Sequence, residues 1–98
     1  MATMKATAIL VNTARGPLID TVALAQALEA GTIAAAGIDV YEVEPVPADH
    51  PLLACSRALL TSHVAWYSES SIPRLQRLAA EEAARGLRGE APLHRVNP

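Results

Sequence analysis

The run Ala8-Ile9-Leu10-Val11-Asn12-Thr13-Ala14-Arg15-Gly16 opens with four apolar residues that do not alternate with polar ones and stops abruptly at Asn12. Ile9 and Val11 are β-branched, and so short an apolar run reads as a strand buried on both faces, the kind found in parallel sheets between layers of helix. In such sheets ligands bind beyond the carboxyl ends of the strands. Arg15 is therefore expected at a ligand edge, where its planar fork of donors suits a carboxylate or a phosphate.

Upstream, Met1 to Thr7 carries no structural signal. Downstream, Gly16-Pro17 marks a turn, Asp20 is a good N-cap, and Thr21 to Ala30 has helix-forming content with Leu24, Ala27 and Leu28 on one face. Gly31 is placed to close that helix in the left-handed region. Thr32 to Val40 reads as a second strand, and strand, helix and strand together make a right-handed unit that forces the two strands parallel. Asp39 then reaches the same edge as Arg15. From Tyr41 to Ser56 the prolines at 45, 47 and 51 forbid a long helix. Arg57 to Thr61 is a short third strand leading into Ser62-His63. A second helix, capped by Ser68, Ser70 or Ser71, runs to about Gly86 or Gly89 with Ile72, Leu75, Leu78, Ala79, Ala83 and Leu87 on its apolar face. Glu90 to Pro98 reads as a tail. The expected fold class is α/β: a single partial domain with a parallel sheet of about three strands and two helices.

Composition narrows the function. A formal charge of −2 with scattered arginines gives no footprint for nucleic acid. Cys55 stands alone, so no disulfide can form within the chain, and a reducing, cytoplasmic setting is the expectation. No apolar run has the length of a membrane span, and Met1 to Lys5 lack the apolar middle of a signal peptide. His50, His63, His94 and Cys55 show no ligand spacing on one element, so no metal is expected. Glu81, Glu82, Arg85 and Arg88 read as a solvated helix face.

What converges at the strand ends is a guanidinium (Arg15), two acidic positions (Asp39, then Glu44) and an imidazole (His63). This set suits a small 2-oxo or 2-hydroxy acid. Arg15 would grip the carboxylate and polarise the neighbouring carbonyl, and His63 would pass the proton.

Three segments, Asn12-Thr13-Ala14-Arg15-Gly16, Asp39-Val40-Tyr41-Glu42-Val43-Glu44-Pro45 and Thr61-Ser62-His63-Val64-Ala65, resemble in order and spacing the late signatures of the NAD-dependent D-isomer-specific 2-hydroxyacid dehydrogenases. The resemblance implies the C-terminal half of a Rossmann-type dinucleotide-binding domain over residues 1–98. It implies catalytic roles for Arg15 (substrate), His63 (acid/base) and Glu44 (partner of His63, with Glu42 the weaker candidate). It implies a cofactor-facing set of Asn12, Thr13, Ala14, Arg15, Asp39, His63 and Ala65, in which Asp39 accepts from the nicotinamide carboxamide and Thr13 and Ala14 line the ring by their backbones. The cofactor implied is NAD, with NADP left open. Ala65-Trp66-Tyr67-Ser68-Glu69 is also similar to the branch that includes the C-terminal-binding-protein corepressors, which places Trp66 near a substrate pocket.

Two departures stand out. Ser62 precedes His63 where the family has Pro, which implies a less rigid loop, and the five glycines contain no Gly-x-Gly phosphate cradle. The chain is thus expected to be a fragment of a dehydrogenase, idle unless joined to its missing N-terminal half, and its expected macromolecular partner is that half or further copies of itself. The alternative is a fold remnant that acts as an interaction or structural module. With two helices for three strands, an apolar sheet face is expected to be left open and to drive self-association.

Overall fold

The computed structural model describes residues 3–97, so residues 1, 2 and 98 of the expected lead and tail lie outside the described residues. The chain divides into two compact units, Met1–Ala65 and Trp66–Pro98.

The first unit is a parallel sheet of β1 (Ile9–Asn12), β2 (Ala35–Ile38) and β3 (Ala58–Leu60), in that spatial order, with α1 (Thr21–Glu29) between the first two strands. Ile9 pairs with Ala35 and Asn12 with Ile38, while Ala36 pairs with Ala58 and Ile38 with Leu60. Both connections step in the same direction across the sheet, so the right-handed crossover rule sends both over one face. Leu24 and Leu28 of α1 and Leu52 of a 3-10 turn (Pro51–Ala54) accordingly share one core with Ala36 and Ile38, and Leu10, Ala58 and Leu60 pack against it.

The pleat sends the alternate residues the other way. Ile9 and Val11 are each 66% exposed and Leu59 is 73% exposed. This corrects the expectation that the first strand is buried on both faces. Its continuous apolar run has the composition of a doubly covered strand, but the described residues of this unit cover one face only. The open apolar face itself was expected.

Local chemistry sets the limits of α1. The Asp20 side chain accepts from the Ala23 N–H at 2.9 Å. At the other end Gly31 has φ +69°, and the Thr32 N–H reaches the Ala27 carbonyl at 2.9 Å while the Gly31 N–H reaches that of Leu28 at 3.1 Å. That pair of bonds is the Schellman closure, which needs a left-handed residue. The Arg57 guanidinium also donates to the Leu28 carbonyl, at 3.2 Å. Because Thr32 is engaged in this closure and Ile33 is fully buried in the core, the second strand begins at Ala35, three residues later than expected.

The second unit holds α2 (Ser71–Leu87). Of the three serines offered as caps, Ser70 holds the cap position and makes no side-chain cap bond, while Ser68 and Ser71 bond reciprocally around it, the Ser71 N–H to the Ser68 hydroxyl at 3.0 Å and the Ser68 N–H to the Ser71 hydroxyl at 2.7 Å. Leu75, Leu78 and Leu87 stay exposed, since one helix supplies no second layer within its unit. The residues expected as a tail fold back: Arg85 donates twice to the Ala91 carbonyl, and the Leu93 N–H donates to the Glu82 carboxylate at 3.2 Å. Arg77 pairs with Glu81 one turn on, at 2.7 Å, as a solvated face would. No helix of the described residues is long and apolar enough to cross a membrane.

Candidate active site

Three parallel strands end at one edge of the sheet, so the residues that follow Asn12, Ile38 and Leu60 are delivered to a common rim. Arg15, Glu44 and His63 line one concavity there, of about 260 Å³, together with Gly16 and Tyr41. A neighbouring recess of about 490 Å³ shares Glu44 and His63 and is walled by Val46 and Leu60. The sequence expectation that Arg15 and His63 meet at one edge is what the geometry gives.

Each side chain is aimed by short-range chemistry. The Asn12 side chain accepts from the Ala14 N–H at 3.1 Å and donates to the Arg15 carbonyl at 2.9 Å, folding residues 12–15 into a tight turn after β1. Asn12 is itself buried, so its side chain shapes the turn that presents Thr13, Ala14 and Arg15, all exposed. The Arg15 guanidinium donates to the Ala14 carbonyl at 2.7 Å.

His63 holds a left-handed backbone conformation, φ +58°, uncommon for a residue with a side chain. Its N–H donates to the Asp39 carbonyl at 2.8 Å, and its Nδ1–H donates to Glu44 Oε2 at 2.7 Å. Glu44 Oε1 accepts from the Tyr41 N–H at 2.9 Å. Hydrogen bonds from His63 and from that N–H hold the Glu44 carboxyl below the usual carboxylate range. With Nδ1 donating to a carboxylate, the tautomer is fixed and Nε2 is the nitrogen that exchanges protons.

Asp39, only 3% exposed, ties the β2 and β3 ends together. Its Oδ1 accepts from the Thr61 hydroxyl and from the Val64 N–H at 2.9 Å, and its Oδ2 from the Ala65 N–H at 3.0 Å. Burial pushes its carboxyl up, but the bonds from Thr61, Ala65 and Val64 outweigh this and bring it below the ordinary range. Among the described residues Oδ2 takes a single bond, which leaves the carboxylate acceptor capacity toward a ligand amide.

Of the two glutamates in the loop, Glu44 reaches the imidazole. Glu42 is bound instead to Thr21, whose N–H and hydroxyl donate to it at 2.8 and 2.7 Å. On either side of Ser62 and His63 the loop is tied to Asp39, through the Thr61 hydroxyl before them and the Val64 and Ala65 N–H groups after them. Trp66, assigned by resemblance to a substrate pocket, lies in the second unit, where its ring meets Tyr67 edge-on at 5.5 Å. Sequence reasoning missed Thr61, Tyr41 and Gly16. Tyr41 is buried and its hydroxyl donates to the Thr61 carbonyl at 3.2 Å. A Cβ on Gly16 would lie 1.9 Å from the Tyr41 carbonyl oxygen. The signal for Gly16 was its place between Arg15 and Pro17, read only as a turn. Among the described residues no group of three or more His, Cys, Asp or Glu side chains could share a metal ion.

Residues 1–65, the whole first unit, match the family model described as D-isomer specific 2-hydroxyacid dehydrogenase, NAD binding domain. The chain belongs to that family. It is 46% identical over 94 residues to a glyoxylate reductase of Thermofilum pendens, an alignment that takes in 96% of this chain and 28% of the relative. It is 39% identical over 98 residues to a glyoxylate/hydroxypyruvate reductase B of Yersinia pestis, covering all of this chain and 30% of that protein. Among solved structures, a D-isomer specific 2-hydroxyacid dehydrogenase of Xanthobacter autotrophicus Py2 in complex with NADPH and MES superposes with a TM-score of 0.81 at 41% identity, over 97% of this chain and 38% of its own. A D-lactate dehydrogenase of Lactobacillus jensenii with NAD+ gives 0.78 at 34% identity, over 99% and 33%. The dehydrogenase-family chain therefore spans about 30% of the length of the curated relatives it matches. The expectations of an α/β fold, a parallel three-stranded sheet and a nicotinamide-cofactor domain are met.

Proposed function

We propose that this chain supplies the nicotinamide side and the acid/base group of a cytoplasmic dehydrogenase that interconverts a small 2-hydroxy acid with its 2-oxo acid, as part of a longer enzyme. The observation that carries the reading is the 2.7 Å bond between His63 Nδ1 and Glu44, made in the concavity that Arg15 also lines.

Arg15 binds the substrate carboxylate and, from the same fork, polarises the adjacent carbonyl. The hydride for that carbon would come from a reduced nicotinamide when the cofactor is bound. His63 delivers the Nε2 proton to the carbonyl oxygen, and takes it back in the reverse direction, while Glu44 holds the ring in place. Asp39 would hold the carboxamide of the nicotinamide through its Oδ2, and Thr13, Ala14, Ala65 and the turn built on Asn12 are the other residues that would hold the cofactor. Relatives named for glyoxylate and hydroxypyruvate support a two- or three-carbon 2-oxo acid as substrate. Solved neighbours hold NAD+ in one case and NADPH in another, which supports a nicotinamide cofactor of either kind.

The test is a chimera in which this sequence replaces the corresponding segment of the Thermofilum pendens relative. It is expected to oxidise NADH or NADPH with glyoxylate, and His63→Gln to lower kcat by about 100- to 10,000-fold. Arg15→Lys is expected to lower kcat/KM severely, because a point charge cannot replace the fork. A chimera that turns over equally well with and without the His63→Gln substitution would overturn the reading. The open face at Ile9, Val11 and Leu59 favours a second role for the chain alone, as a module that docks on another copy or on the missing half of such an enzyme.

A further inference from the structure

The loop that carries Glu44 has no regular structure between β2 and the turn at Pro51, so something other than a ladder must hold that carboxylate against His63. Two of its residues, Glu42 upstream of Glu44 and His50 downstream, bond to the same hydroxyl. Thr21, the first residue of α1, is only 1% exposed. Its Oγ1 lies 2.7 Å from Glu42 Oε2 and 2.9 Å from His50 Nε2.

The directions of these bonds are fixed by their ends. The Leu52 N–H donates to His50 Nδ1 at 3.2 Å, so the ring proton sits on Nε2 and is donated to Thr21. The Thr21 hydroxyl, having accepted, donates onward to Glu42, whose other oxygen takes the Thr21 N–H at 2.8 Å. The relay runs one way, from a backbone donor through an imidazole and a hydroxyl to a carboxylate, which lets each bond polarise the next. Glu42 also sits at the positive end of α1, where a carboxylate is favoured. Burial pushes its carboxyl up, but the two bonds from Thr21 outweigh this and keep it ionised.

We infer that Thr21 is a positioning residue for the proposed acid/base pair: by bonding Glu42 and His50 at once it closes the base of the 42–50 loop and so sets where Glu44 meets His63. The inference rests on the dehydrogenase reading for its catalytic meaning, though not for its geometry. Tyr41 transmits the effect, since its carbonyl is clamped beside Gly16 and its N–H bonds Glu44, one residue from the anchored Glu42. The closed loop resembles the compact, end-to-end loops that proteins use to carry functional groups.

The test reads position without turnover, so its failure and failure of the dehydrogenase reading can be told apart. In the 98-residue chain, amide hydrogen exchange and the pH titration of the Glu44 carboxyl carbon are followed by NMR for the parent, Thr21→Val and Thr21→Ser. Val is expected to speed exchange at the Tyr41 and Leu52 amides by about tenfold, the equivalent of one net hydrogen bond, and to move the Glu44 titration up toward its ordinary value. Ser, which keeps the hydroxyl, is expected to restore both. Glu42→Gln, at an exposed position, repeats the test if Val at the buried site unfolds the chain. Tyr41 exchange and a Glu44 titration that stay at parent values in a folded Val or Gln variant would overturn the inference.

Discussion

His63 Nδ1 lies 2.7 Å from Glu44 Oε2, although the two residues are 19 positions apart and leave different strands. Neither side chain is deeply buried, so the pair adds little to stability. Its value is in orientation: a carboxylate at Nδ1 commits Nε2 to the proton transfer. Glu44→Gln in the active chimera is expected to lower kcat by about 10- to 100-fold, a part of what losing the imidazole costs, with KM for the oxo acid nearly unchanged. Steady-state kinetics at saturating cofactor check this.

Asp39 and Glu44 both lie below their ordinary values of 3.8 and 4.5. A carboxylate with a depressed folded pKa adds stability that is present above its unfolded value and is lost as pH falls through the folded one. The parent should therefore lose stability below about pH 4. Asp39→Asn should be less stable at pH 7 and should show a flatter loss in that acid range. Urea unfolding at a series of pH values measures both, and an Asn variant whose curve runs parallel to the parent would remove Asp39 from the acid response.

Gly16→Ala places a methyl carbon 1.9 Å from the Tyr41 carbonyl oxygen and 2.4 Å from the Glu42 nitrogen, both backbone atoms that cannot swing aside. A cost of about 1–3 kcal/mol or more is expected, measured as a lower urea midpoint. The Tyr41 and Glu44 resonances should shift with it, because the turn they share must move.

Ile9 and Val11 of β1 and Leu59 of β3 leave an exposed apolar face on the two edge strands of the sheet. Such surfaces associate. The chain is expected to self-associate at high micromolar concentration by light scattering, and Leu59→Lys to shift it toward monomer. A monodisperse parent would show that this face tolerates water.

Much of the sheet was legible from the chain itself. The helix between Asp20 and Gly31 announced its own cap and closure, and a strand on either side of it left only one hand and one direction. Arg15, Asp39 and His63 followed because each comes shortly after a strand end. What could not be read was the use of side chains across the loops. The resemblance favoured Glu44 over Glu42, but nothing in the local chemistry distinguishes the two, which lie two residues apart in a proline-rich stretch. Their fates are decided by Thr21 and His63, which are distant in sequence. The open face of β1 was hidden for a different reason: an apolar run records that both faces are suited to burial, and it does not record which segment does the burying.

Most donors that set the imidazole and its carboxylate are main-chain amides: His63 itself, Val64, Ala65 and Tyr41. An amide survives almost any exchange of the side chain attached to it. The alignment of this rim is therefore insensitive to sequence drift at positions 41, 64 and 65, and vulnerable where the side chain, or the lack of one, does the aligning: the carboxylates at 39 and 44, the hydroxyl at 21 and the glycine at 16.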